Sequence, residues 1–207
     1  MAKLTRRGAL LAAATLPMMP GLASTTPAIG APAPDFALPD QDGTLRRLSD
    51  FRGRVVVLEF TNHDCPYVRK HYNSGNMQGL QREAASRNIA WLSVAASPVG
   101  EQGHVTGPEA KALTASRNAA PLAVLLDHRS QAARAYAATT TPGMYVIDAE
   151  GQLRYMGAID SIRSTRVEDV ARAEPYLRDA TIAVRDGRQI ARAVTPPYGC
   201  AIKYSDA

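Results

Sequence analysis

Val55-Val56-Val57-Leu58-Glu59-Phe60 is a nearly unbroken apolar, β-branched run, and it gives way a few residues later to Cys65-Pro66. A strand with one wet face alternates apolar and polar residues, so a run without alternation is expected where both faces of a sheet are covered. Pro66 suits the first position of a helix, where its missing N–H removes no intrahelical bond. Cys65 is therefore predicted where a central strand hands over to a helix. This suggests the centre of an α/β sheet.

The flanking segments extend that reading. Asp35 to Leu48, with Asp42-Gly43 at its turn, reads as an N-terminal β-hairpin, and Asp-Gly is a type I′ signal. The helix after Cys65 is weakened at Gly75 and Gly79 and resumes through Leu80, Ala84 and Ala85. Ile89–Ala95 and Leu122–Leu126 read as strands, Pro108–Asn118 and Arg129–Ala137 as helices, and the Gly-rich stretch Ser97–Gly107 as a surface loop. Met144–Ile147 and Leu153–Gly157 form a second hairpin. Leu177, Ala180, Thr181 and Val184 share one helical face, with Gly187 as a stop. The expected fold class is α/β: a central mixed β-sheet flanked by helices on both faces, with an N-terminal β-hairpin extension.

The N-terminus reads as an export segment. Thr5-Arg6-Arg7-Gly8-Ala9-Leu10 opens a basic region, a short apolar stretch broken by Pro17 and Pro20 follows, and Gly21-Leu22-Ala23 offers a cleavage site. The paired arginines fit a twin-arginine signal, with an ordinary secretory signal as the alternative. Residues 1–23 are thus assigned to a signal peptide, 24–34 to a linker, and 35–207 to the mature domain. The expected location is exported, in the periplasm, with no membrane insertion once the signal is cleaved.

Charge then points away from nucleic acid. The chain carries 24 basic and 19 acidic residues, net +5, but Lys3, Arg6 and Arg7 lie in the signal. Their removal leaves 21 basic against 19 acidic residues, net +2, with no basic run interleaved with aromatics. Two cysteines are too few for a disulfide scaffold or a cysteine zinc cage. His63, Cys65 and His71 can be drawn as a soft-metal site, but without a cysteine pair the reading is no metal and no cofactor. His104 and His128 are expected to be solvated, and a Gly-x-Ser-x-Gly elbow and a phosphate-cradling loop are absent.

The chemistry is expected at Cys65. The first turn of a helix presents unpaired N–H groups and the positive end of its dipole, which favour a thiolate. Arg69, Lys70, His71 and His63 add positive potential if they face the sulfur. Cys200 lies 135 positions away behind Pro196-Pro197 and Gly199, an irregular segment able to fold back. It is open between a resolving thiol, a static staple and no pairing with Cys65.

Ala33-Pro34-Asp35-Phe36 with Leu38, Leu48-Ser49-Asp50-Phe51-Arg52-Gly53 before the strand, Cys65-Pro66, and Thr141-Pro142 before Tyr145-Val146-Ile147-Asp148 follow one another along the chain. In these features the segment 33–157 resembles a thioredoxin-fold redoxin of the alkyl hydroperoxide reductase/thiol-specific antioxidant, peroxiredoxin-like group. Residues 61–77 and the tail Pro197 to Tyr204 resemble an uncharacterised exported branch of it. The resemblance implies a thioredoxin-like fold and an oxidoreductase whose Cys65 attacks a peroxide or a protein or small-molecule disulfide. A thiol reductant, unidentified, then restores it, and Cys200 is the candidate resolving residue. Asn62 stands where a thioredoxin has its first cysteine, so the C-x-x-C pair is absent. It also replaces the peroxiredoxin threonine, while Pro142 replaces the peroxiredoxin arginine. Thr141-Pro142 resembles the cis-proline loop that presents backbone to a disulfide substrate, and Asn62 and His63 are expected to line the site and tune the sulfur. The rival readings are thiol–disulfide exchange without peroxidase activity, and a redox-silent binding module with a structural Cys65–Cys200 disulfide.

Overall fold

The computed structural model describes residues 27–206. The export segment therefore lies outside the described residues, apart from the end of the proposed linker. Residues 30–33 of that linker are packed: Gly30 N–H donates to Leu153 O at 2.7 Å and Ala33 N–H to Gly151 O at 2.9 Å.

The first hairpin comprises β1 (Ala37–Pro39) and β2 (Leu45–Arg47), antiparallel and separate from the main sheet. Its turn is not the expected type I′, which needs left-handed backbone at both central residues. Gly43 has φ 80° but Asp42 does not share it. Instead the buried Asp40 carboxylate accepts the Asp42 and Thr44 N–H groups, each at 2.9 Å, and holds a longer turn.

The central sheet has the order β5-β4-β3-β7-β8. Strands β3 (Val56–Thr61), β4 (Ala90–Ala95) and β5 (Ala123–Leu126) run parallel. Strand β7 (Gly143–Ile147) pairs antiparallel with β3, and β8 (Leu153–Gly157) antiparallel with β7. The unbroken run is at the middle, with Val57, Leu58 and Phe60 all 0% exposed. The pleat sends its residues to opposite sides. Val56, Leu58 and Phe60 join Phe36, Leu48 and the alanines of α4 (Gln131–Ala135). Val57 packs with α1 (Pro66–Asn73), α2 (Asn76–Ser86) and α5 (Tyr176–Arg185). Helix α3 (Gly107–Ser116) covers a smaller cluster with Ala95 and Val124. This is the mixed sheet with helices on both faces that the sequence implies.

Two local departures bear on the site. The helix after Cys65 is divided: Gly75 at φ 74° ends α1 and opens α2, whereas Gly79 sits within α2. In addition, β6 (Thr140–Thr141) and β9 (Cys200–Ala201) form a two-residue antiparallel ladder, with Thr141 opposite Cys200. The C-terminal tail thereby returns to the strand–helix junction.

Candidate active site

Cys65 caps α1 from an extended conformation (φ −66°, ψ 123°), with Pro66 at the first helical position. Its N–H donates to Asn62 O at 3.1 Å and its carbonyl accepts the Arg69 N–H at 2.9 Å. The sulfur thus sits at the helix N-terminus, as the strand–Cys–Pro pattern predicts, but it is only 1% exposed.

The tail covers it. Cys65 Sγ lies 3.1 Å from Thr141 O and 2.7 Å from Cys200 Sγ, both cysteines being free thiols. Closing a disulfide requires an approach of only about 0.7 Å more. The Thr141–Pro142 bond is cis, in line with the resemblance to a cis-proline loop. Both residues are buried, and the Thr141 hydroxyl has no hydrogen-bond partner among the described residues. Cys200 is half-buried, and its thiol is pushed up to about 12, chiefly by burial and secondarily by the neighbouring Cys65 sulfur.

The expected tuning residues are placed differently. Asn62 is buried but does not bond to the sulfur: its side-chain oxygen accepts Asp64 N–H at 2.9 Å and its amide donates to Gln102 O at 3.1 Å. It ties the Cys65 turn to the 97–107 loop, where a Cβ on Gly103 would come within 2.3 Å of the Asn62 side chain. His63 turns its ring toward Asp64, at 3.4 Å. His104 and His128 are not simply solvated: their rings meet at 4.3 Å, tilted by 51°, and bond to Ser97 O and Val105 O respectively, fastening the same loop. A small open cleft beside this loop is lined by Thr61, His63, Tyr72, Leu113 and Arg117, and by neither cysteine.

The basic residues of α1 also turn elsewhere. Arg69 pairs with Asp64 at 2.8 Å. Lys70 is fully buried, donating to Asp160 at 3.2 Å and to Ile162 O at 2.9 Å. His71, with no exposed surface, has its ring nitrogens against the Tyr198 hydroxyl at 3.2 Å and the Asn76 amide at 2.9 Å. Burial pulls its pKa down to about 4, so it is neutral near pH 7. Tyr198 donates to Asp160, completing a buried cluster that sequence reading missed. The available signal was weak: a Tyr-Gly-Cys triplet near the C-terminus. Glu59 was missed too. It is buried in β3, accepts from Tyr72, Trp91 and Ser93 at 2.9 Å each, and has its pKa raised by burial.

Residues 29–156 match the AhpC/TSA family. The chain is 28% identical over 137 residues to the thiol-disulfide oxidoreductase ResA of Geobacillus kaustophilus, covering 63% of this chain and 69% of that protein. Among solved structures, a hypothetical protein of Sinorhizobium meliloti 1021 superposes with TM-score 0.73 at 24% identity over 88% of this chain and 98% of its own, a likeness of fold. A chain from Chlorobium tepidum described as a thiol:disulfide interchange protein DsbE is 26% identical, with TM-score 0.52, over 63% of this chain and 85% of that one. With a cysteine at the strand–helix junction and a cis-proline against it, the chain belongs to the AhpC/TSA family of thioredoxin-fold redoxins, thiol-based oxidoreductases.

Proposed function

We propose that this is an exported thiol oxidoreductase in which Cys65 is the nucleophile and Cys200 the resolving thiol. The observation carrying this reading is the contact of the two sulfurs at 2.7 Å across 135 residues, at a helix N-terminus and beside a cis-proline. With a peroxide, the Cys65 thiolate attacks the terminal oxygen. The O–O bond breaks, the leaving alkoxide or hydroxide takes a proton, and Cys65 becomes a sulfenic acid. Cys200 then attacks that sulfur, the S–O bond breaks, and water leaves as the disulfide forms. With a disulfide, Cys65 forms a mixed disulfide, and Cys200 displaces the substrate thiol. Two external thiols return the enzyme to its dithiol state.

Asn62 supports the site by fixing the turn and the 97–107 loop, and His63 by the same turn through its carbonyl, which accepts from Arg69 and Arg117 at 3.2 and 3.0 Å. Thr141 supplies the backbone that pairs with Cys200. Exchange without peroxidase activity is the second reading, favoured by the likeness to ResA and to the DsbE-described chain.

The test is turnover of purified mature protein with hydrogen peroxide, and separately with a peptide disulfide, under a small dithiol. Cys65→Ser should abolish consumption of both oxidants. With the dithiol omitted, Cys200→Ser should react with about one equivalent of oxidant per chain and stop with Cys65 as a sulfenic acid or mixed disulfide. Undiminished turnover by Cys65→Ser would end this reading, and turnover of the peptide disulfide alone would select exchange.

A further inference from the structure

The tail carrying Cys200 is anchored on both sides of that residue. Before it, the 5%-exposed Tyr198 inserts into the cluster described above, its hydroxyl donating to Asp160 and lying 3.2 Å from His71. Lys70 holds the other Asp160 oxygen and stands 5.5 Å from the Tyr198 ring centre, and Tyr67 packs against that ring at 5.8 Å. A hydroxyl and a carboxylate removed from water are costly unless satisfied, and here each satisfies the other, so the tyrosine has one defined seat. After Cys200, Ile202 is buried with its N–H on Thr139 O at 3.1 Å, and the Tyr204 hydroxyl donates to Ala138 O at 2.6 Å. None of these anchoring contacts involves either sulfur.

We propose that the tail is a lid keyed by Tyr198, which favours small oxidants over bulky ones at Cys65 and makes Cys200 the sulfur that an external thiol attacks. This rests on the reading of Cys65 as nucleophile. Accessibility supports both halves: Cys65 is 1% exposed beneath the tail, whereas Cys200 is half-buried. An external thiolate attacking Cys200 breaks the Cys65–Cys200 bond with the electron pair departing on Cys65, and leaves a mixed disulfide on Cys200. Attack on Cys65 would instead require the reductant to reach a sulfur that is 1% exposed beneath the tail. A second thiolate then attacks the mixed disulfide at the first reductant's sulfur. This releases Cys200, which takes a proton, so that two thiols become one disulfide and the enzyme gains two electrons. Tyr198 acts here as a positioning residue.

Two measurements on the full mature chain test it. In a Cys200→Ser background, the rate of Cys65 modification is compared for hydrogen peroxide and for the bulky aromatic disulfide 5,5′-dithiobis(2-nitrobenzoate), with Tyr198 intact, Tyr198→Phe and Tyr198→Ala. The bulky-to-small rate ratio should rise at least about tenfold in Tyr198→Ala, with Tyr198→Phe between, while the peroxide rate changes little. An unchanged ratio across folded variants overturns the lid. Separately, the oxidised wild-type chain is mixed with glutathione, acid-quenched and peptide-mapped. The adduct is expected on Cys200, and an adduct on Cys65 overturns the proposal while leaving Cys65 as nucleophile. If neither reagent modifies Cys65 in any chain, both this proposal and the functional reading fall.

Discussion

Gly199 lies between the tyrosine seat and the reactive pair, at φ 151°. A Cβ built there would stand 2.0 Å from Thr141 O and 2.6 Å from its carbonyl carbon, in backbone that L side chains rarely adopt. The close approach that lets Cys200 pair with Thr141 therefore depends on this residue having no side chain. Gly199→Ala should push the tail off β6. Stopped-flow fluorescence or quenched mass spectrometry should then show Cys65–Cys200 closure after peroxide slowed by about tenfold or more, with the global fold retained. Closure at the wild-type rate would show that the tail finds its place by another route. At this scale the sequence was legible for Cys65, because a buried strand, a cysteine and a helix-starting proline form one local pattern. It was misleading for Asn62 and His63, because proximity in sequence to the sulfur does not decide where a side chain finds its partners.

Helix α1 presents a buried polar face that its sequence conceals. Lys70 and His71 read as surface charge on a helix of ordinary polarity, yet both are sealed against Asp160, Tyr198 and Asn76. The buried imidazole has a consequence for acid stability. His71 is depressed to about 4 by burial, with Asp160 opposing and Lys70 reinforcing that shift, whereas an unfolded histidine protonates near 6.5. Between those values the unfolded state binds the extra proton, so stability is complete above about 6.5 and declines as the pH falls toward 4, by up to about 3 kcal/mol. Asp127 acts in the opposite sense in the same window: burial raises it to about 6, so the folded state holds its proton more tightly. Comparison of denaturation midpoints from pH 7 to 4.5 isolates the histidine: His71→Gln should flatten the decline. Parallel curves for both proteins would assign the acid lability elsewhere. The β6–β9 ladder was not legible for a different reason. Two residues carry no periodicity, and the pairing is flanked by buried Tyr198 on one side and buried Ile202 on the other.

For the molecule as a whole, the order of apolar runs and breakers was enough to place the central sheet, its helices and the second hairpin. Alternation, or its absence, states how many faces of a strand are covered. The sequence left open how the tail returns, because Pro196-Pro197 and Gly199 permit many paths and the one taken is chosen by a buried cluster assembled from α1, the segment after β8 and the tail itself. Among the described residues, no helix is long and apolar enough to cross a membrane. The central claim is that a single sulfur pair, Cys65 with Cys200, carries the redox cycle. Its most direct test is intact-mass and peptide-mapping analysis of the reduced mature chain after one equivalent of hydrogen peroxide, with and without a sulfenic-acid trap. The account predicts a Cys65–Cys200 disulfide in the wild-type chain and a trapped Cys65 sulfenic acid in Cys200→Ser. Oxidation confined to Cys200, or a Cys65 that stays reduced while peroxide is consumed, would contradict it.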